Sequence, residues 1–465
     1  MALTIPVAEI VESSRNPLLG KHESWGRVLL GEIATIQNGF PFKSSQFTRD
    51  KGMPLIRIRD VGADSTDTNY DGEYDQAFIV EAGDLLIGMD GDFNCARWRG
   101  PKGLLNQRVC RVILNSDIYH PKLLDYALPG YLKAINEMTS SVTVKHLSSK
   151  SIAEIPLPLP PLDQQERIVA EIEKQFSRLD EAVANLKRVK ANLKRYKAAV
   201  LKAAVEGRLV ETEAERARRE GRSYETGEQL LQRILETRRS QWQGKGKYKE
   251  PAAPDTTGLP ELPEGWVWAS VDQLTMDSLI GLDRGRDQQN SEGIGVPYVK
   301  MNNVTMEGEV TSEGMVYVDA SNEEKSRFDV QAGDLLFNTR NSKELVGKVG
   351  MVRSLPNGAI YNNNLMRLRT ADGAMPSFVC SQMCSDGFRR RMELVKKATT
   401  NVAAVYAKDL FPLPLALPPP AEQHRIVTEV DRRLSLLRET EAQVDANLHR
   451  AERLRQSILS KAFSA

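Results

Sequence analysis

The side chains in this sequence best suited to chemistry are lysines, arginines, asparagines and glutamines gathered in short polar runs. Lys43 lies in GFPFKSS, Arg57 and Arg59 stand beside Asp60, Arg97 and Arg99 precede Lys102, and Gln107 adjoins Arg108. Further along, Lys300 is followed by Asn302 and Asn303, Arg340 and Asn341 by Lys343, and Asn363 sits in a run of three asparagines. Lysine and arginine meet phosphates, arginine also grips guanine bidentately, and asparagine and glutamine match adenine, so this mix suits a surface that reads duplex DNA. Taken singly, each residue is more readily a solvated surface side chain. Their recurrence at corresponding places in the two halves of the chain sets them apart.

Patterns that would support catalysis are missing from the sequence. It contains no G-x-x-x-x-G-K-[ST] phosphate cradle, no H-E-x-x-H, no G-x-S-x-G, and no Asn/Asp-Pro-Pro-Tyr/Phe motif with which amino-methyltransferases hold a target base. Cys380 and Cys384, four apart among Phe378, Val379 and Met383, predict the apolar face of a helix and a buried thiol pair rather than a metal site. The five histidines are scattered, and none is expected in an active site. Four cysteines are too few and too unevenly placed for a disulfide framework, so reduced thiols are expected. With 63 basic and 62 acidic residues the net charge is near zero, and any attraction to nucleic acid must come from local patches. No run of about 18 apolar residues and no secretory pattern at the N-terminus is found, and a cytoplasmic location is the expectation.

The elements that must position the polar runs come in duplicate. LPPLDQQERIVAEIEKQFSRL from Leu159 returns as LPPPAEQHRIVTEVDRRLSLL from Leu417. Trp25 pairs with Trp266, Pro54 with Pro297, Ala82 with Ala332 (AGDLL in both), Asn106 with Asn362 and Leu159 with Leu417, at offsets of 241, 243, 250, 256 and 258. An offset that only grows means two collinear copies of one unit whose loops have diverged by small insertions.

Residues 1–24 are an N-terminal extension without assignment, and 25–161 form the first globular domain. Alternating segments such as PLIRIRDV and RVCRVIL predict strands, and HPKLLDYALPGYLKAINEM a helix. The strip IPLPLPPL cannot be helical and predicts a stiff extended collar. Residues 162–207 then carry heptads: Ile172, Leu179, Leu186, Leu193 and Val200 fall seven apart, with Ile168, Ala182, Val189 and Tyr196 on the adjoining stripe. Such a helix is roughly 65 Å long at 1.5 Å per residue.

A linker over 208–260 holds a capping box, Thr226 with Gln229, before a short amphipathic helix, and then a Gly-, Pro- and Lys-rich stretch expected to be mobile. The second domain, 261–417, leads into a second helix over 418–465 with Ile426, Val430, Leu437, Val444, Leu454 and Ile458 in frame and Arg433, Thr440 and Asn447 interrupting it. The fold class predicted is α+β: two homologous mixed domains and two long helices paired antiparallel. Two unlike readers held apart by such a rod imply a split recognition sequence with an unread gap and different halves.

The duplicated LPP-x-x-x-Q-x-RIV helix starts, LPELPEGWVWASVDQL leading into the second domain, the two AGDLL segments and the final SILSKAF resemble the specificity subunits of type I restriction-modification systems over nearly the whole chain. The resemblance implies two target recognition domains, each reading half of a split DNA site, on a coiled coil without catalytic activity of its own. It also implies partners: two methyltransferase subunits that use S-adenosylmethionine to methylate adenine, and restriction subunits driven by ATP and Mg. An orphan DNA-binding scaffold or regulator would carry the same repeat, and an enzyme with an unrecognised active site is a third reading.

Overall fold

The structure, a computed structural model, describes residues 5–14, 16, 19, 22, 24–138, 146–244, 246–398 and 402–464. The chain forms two compact units, residues 1–188 with 444–465, and residues 189–443.

The first unit is built on a four-stranded antiparallel sheet in the order Ala34–Asn38, Val109–Leu114, Leu85–Gly88, Cys95–Arg97. The second repeats it as Thr275–Ile280, Leu365–Thr370, Leu335–Asn338, Val349–Met351. Beside each lies a second, mixed sheet whose parallel pair is Met53–Ile56 with Gly103–Leu105 in the first unit, and Val296–Val299 with Ile360–Tyr361 in the second. Successive side chains of these strands bury both faces: Leu85 and Leu335 enter the large core of their unit, while Leu86 and Val109 in one copy and Leu336 and Leu365 in the other pack on the mixed sheet.

The shared AGDLL segment has the same physical cause in both copies. Gly83 (φ 101°) and Gly333 (φ 94°) take the left-handed turn that side chains resist. The following aspartate closes the turn, Asp84 accepting the N–H of Glu81 and Asp334 that of Gln331, each at 2.9 Å. An arginine from the central strand then pairs with each acid at 2.8 Å, Arg111 with Asp84 and Arg369 with Asp334.

The proline collars are strands. Pro156–Leu159 pairs antiparallel with Gly26–Leu29, and Pro414–Leu417 with Val267–Ser270, in two-stranded ribbons where a missing N–H is tolerated. The glutamine of LPP-x-x-x-Q locks each collar to its helix. Fully buried Gln165 donates to the carbonyls of Ile118 and Pro160 and accepts from the His120 N–H; Gln423 does the same with Gly373, Pro418 and Met375. Gln165→Ala should therefore remove the partner of three backbone groups, one of them fully buried, and cost about 2–4 kcal/mol. Chemical denaturation measures this, and a loss under about 0.5 kcal/mol would show that the staple is dispensable.

The long helices span Leu162–Val205 and Pro420–Ser464 and run antiparallel. In the first unit Ile172 and Phe176 pack on Ile458, near the end of the second helix. In the second unit Val200 and Ala204 pack with Ile426 and Val430, near its start. The second stripe differs from the one the heptads suggested. Ala182, Val189 and Tyr196 are exposed, and Val169, Phe176, Val183, Lys197 and Ala204 turn inward instead. Leu454 is likewise exposed, while Ala451 and Arg455 face in, Arg455 lying 4.0 Å over the Phe176 ring. Long aliphatic stems on Lys197 and Arg455 let charged residues occupy inward positions.

Two segments are more firmly placed than the sequence suggests. Within the N-terminal extension, helix Val7–Ser13 buries Val7, Ile10 and Val11 in the first unit's core, which the C-terminal Phe463 also enters. The linker helix Gly227–Ser240, capped by Thr226 as expected, places Leu230, Leu231 and Ile234 in the second core. A further helix, Glu213–Glu220, went unread despite its own capping box of Thr212 and Glu215. The stretch expected to be mobile is tied down where Ser270 donates to the Ala252 carbonyl and Arg239 bonds Glu250. All four cysteines are free, with Cys380 and Cys384 buried as expected. No helix among the described residues is long and apolar enough to cross a membrane.

Candidate nucleic-acid interface

The loops that carry most of the singled-out polar residues leave one edge of each unit. In the first, the Phe40 N–H donates to the Leu105 carbonyl, the Asn106 N–H to Ile56, and the Met89 N–H to Arg108. These bonds bring Gly39–Lys43, Arg57–Asp60, the turn after Gly88, and Gln107–Arg108 together. In the second, Leu282 bonds Tyr361, Asn362 bonds Val299, and Thr339 bonds Asn364 in the same pattern. A glycine permits each close approach: a Cβ on Gly39 would lie 2.0 Å from the Asn106 carbonyl oxygen, and one on Gly281 2.3 Å from that of Asn362.

In the first unit Lys43 is exposed, beside Phe40, Gln46 and Tyr70 on an open depression. Arg57 is half-buried at the head of the turn Ile58–Asp60. Arg59 is exposed, with its guanidinium on Asp67 and on Thr68 Oγ1. Gln107 is exposed on the same edge. Arg97 and Lys102 are not. Arg97 pairs with Leu85 at the opposite end of strand Leu85–Gly88 and bonds Asp125 at 2.7 Å, and Lys102 precedes strand Gly103–Leu105 and pairs with Glu81 at 2.6 Å. Arg99 stays exposed, its guanidinium 3.4 Å from the Gly62 carbonyl. Arg97 and Lys102 thus tie the far end of the sheet and are removed from the candidate edge.

In the second unit Lys300 reaches Gln289 at 2.8 Å, and Asn302 is exposed. Asn303 is a correction. It is fully buried, its Oδ1 accepting the Lys300 N–H and its Nδ2 donating to the Glu313 carbonyl, both at 2.9 Å. It closes the turn as Asp60 does in the first copy by accepting the Arg57 N–H at 2.9 Å. Arg340 is exposed on a short strand pairing with Ala403–Ala404, and Asn341 is half-buried and accepts the Ser342 N–H. Lys343 is exposed, and Asn363 is half-buried, its N–H on the Leu282 carbonyl. Asn302→Ala should change base preference with little effect on stability, whereas Asn303→Ala should lower stability by about 1–3 kcal/mol with preferences intact. Binding to single-base variants beside thermal melts separates the two, and the reverse assignment would contradict these roles.

Two residues the sequence left aside also stand on the first edge. Asp90 accepts hydrogen bonds from Arg108 and from His146 Nδ1. Partial burial opposes its ionisation, but the bonds from His146 and Arg108 outweigh that and hold its carboxyl below the ordinary range. Nothing in the spacing of Asp90 and His146, 56 residues apart, signals their meeting.

One fold present twice, each copy showing a polar loop edge and held at a helix start by the same glutamine, defines a duplicated recognition protein. The family of type I restriction modification DNA specificity domains matches residues 22–195. The chain is 32% identical over 472 residues to the EcoBI specificity subunit of Escherichia coli, covering 98% of this chain and 89% of that protein. It is 23% identical over 463 residues to the EcoKI specificity subunit of Escherichia coli strain K12, covering 95% and 89%. Its fold is like that of a chain from a solved type I restriction-modification system, with a TM-score of 0.60, 20% identity, and coverage of 95% and 98%. The chain belongs to the family of type I restriction enzyme specificity subunits.

Proposed function

We propose that this chain selects the DNA sequence on which a type I restriction-modification complex acts, each domain reading one half of a bipartite, asymmetric site. The observation that carries the reading is an equivalent loop edge with different side chains: Arg57 against Lys300, Arg59 against Asn302, Asp90 against Arg340, Gln107 against Asn363. A common frame with unlike polar contacts suits two different half-sites rather than a palindrome. The paired helices set the gap and dock two methyltransferase subunits, with restriction subunits completing the assembly in the cytoplasm. In this reading the chain is not itself catalytic, and S-adenosylmethionine, ATP and Mg are held by its partners.

The test is selection from a library of randomised duplexes by the full chain copurified with its methyltransferase subunit. The expected product is two unlike short sequences at fixed separation. A palindrome, a continuous sequence or no enrichment would contradict the proposal.

A further inference from the structure

The recognition edge of the first unit holds a side-chain cluster that the second unit replaces with different chemistry. Asp90, Gln107, Arg108 and His146 line one open depression. Asp90 organises it. Its side chain is only 15% exposed, with one carboxylate oxygen on Arg108 Nη1 and the other 2.6 Å from His146 Nδ1.

The backbone fixes the partners. The Met89 N–H donates to the Arg108 carbonyl at 3.0 Å and the Leu147 N–H to the Met89 carbonyl at 2.7 Å, while Asp90 and His146 face each other in an antiparallel bridge. The turn that follows passes through Phe93, at φ 52° the one non-glycine residue in the left-handed region among the described residues. Its ring is buried in the core, so packing sustains a backbone conformation that side chains resist. In the second unit the same bridge joins Arg340 to Ala404, with Asn363 and Asn364 where the first has Gln107 and Arg108. The acid and the imidazole have no counterparts there.

We propose that Asp90 aims Arg108 at a base edge, so that Arg108 reads a guanine in the half-site taken by the first unit; this rests on the DNA-reading function proposed above. Arg108 remains 61% exposed, and with Nη1 held by Asp90 its other N–H groups still offer the planar fork that matches guanine O6 and N7. A phosphate at that place would face the Asp90 carboxylate at close range, and two anions repel, whereas O6 and N7 carry no net charge. With the Arg108 end of the pair open to water, its contribution to stability is small, and the effect of the pair lies in orientation. His146 is set the same way, its Nδ1 engaged and its ring 44% exposed, and serves as a second polar contact beside Gln107. Asp90 is a positioning residue and Arg108 the specificity-determining one.

The experiment repeats the selection from randomised duplexes, using the full chain with its methyltransferase subunit, for wild type, R108A and D90N, with salt titrations and thermal melts alongside. R108A should reduce preference for guanine at one base pair of one half-site by roughly ten- to hundred-fold, leaving the other half-site and the salt slope unchanged. D90N should weaken the same preference at the same base pair without moving the melting temperature, which a merely structural role would not do. Should R108A fail to fold, R108M keeps the stem but no donor, and must lose the same guanine; retained preference overturns the proposal. Equal weakening on all sequences, with a salt slope flatter by about one, would make Arg108 a phosphate contact and overturn it too. A wild-type selection yielding no two-part sequence would refute the DNA-reading function itself; a two-part sequence unmoved by R108A and D90N refutes only the assignment of Arg108.

Discussion

Replacing residues 30–155 with the corresponding segment of a relative of different specificity should change one half of the selected site and leave the other as it was. Cuts at Leu30 and Ile155 keep both strands of the ribbon Gly26–Leu29 and Pro156–Leu159, so the join to the helix is untouched. Each unit has its own core, which allows one reader to change alone. The incoming segment must still accept Val7, Ile10 and Phe463, which enter the first core from outside the exchanged residues. Each altered base pair is worth about 1–3 kcal/mol, so two alone would shift the preference by about 2–6 kcal/mol. Duplex selection by the hybrid reads the result, and a change in both halves would show that the readers are not separable.

Inserting four residues near Ala191 should change the gap between the half-sites or abolish specific binding. The insertion advances the helix by about 6 Å and turns it by about 40°, so a domain carried on it leaves the phase of the duplex. It also interrupts the heptad register that seats Ile172 and Val200 in their packing. Competition among duplexes of graded spacing measures the outcome. An unchanged gap at unchanged affinity would mean that the helices do not set the spacing.

The repeat, the strands and both long helices were legible because duplication and heptad spacing are local patterns that a single sequence carries. The inward stripe of the first helix was not. Residues four before and four after each heptad position compete for it, and Lys197 hides the true side, its charge outweighing in the pattern the stem that packs. Asn303 illustrates the limit at the site: beside Asn302 it offers the same amide, and only the turn decides that one faces out while the other closes the backbone. Gln165 and Gln423 were visible as motif letters, but two of the three hydrogen bonds each makes join segments more than 40 residues apart. Asp90 and His146 were illegible for the same reason. Their pairing is made by sheet topology, which no spacing rule anticipates.

The central claim is that two unlike readers in one chain specify one asymmetric, two-part sequence. The most direct measurement is genome-wide sequencing of methylated adenines in a host carrying this chain and the methyltransferase subunit proposed as its partner, compared with the same host lacking the chain. The account predicts chain-dependent methylation confined to one bipartite sequence with two different halves at constant separation. Methylation at a palindrome or a continuous sequence, or methylation independent of this chain, would contradict it.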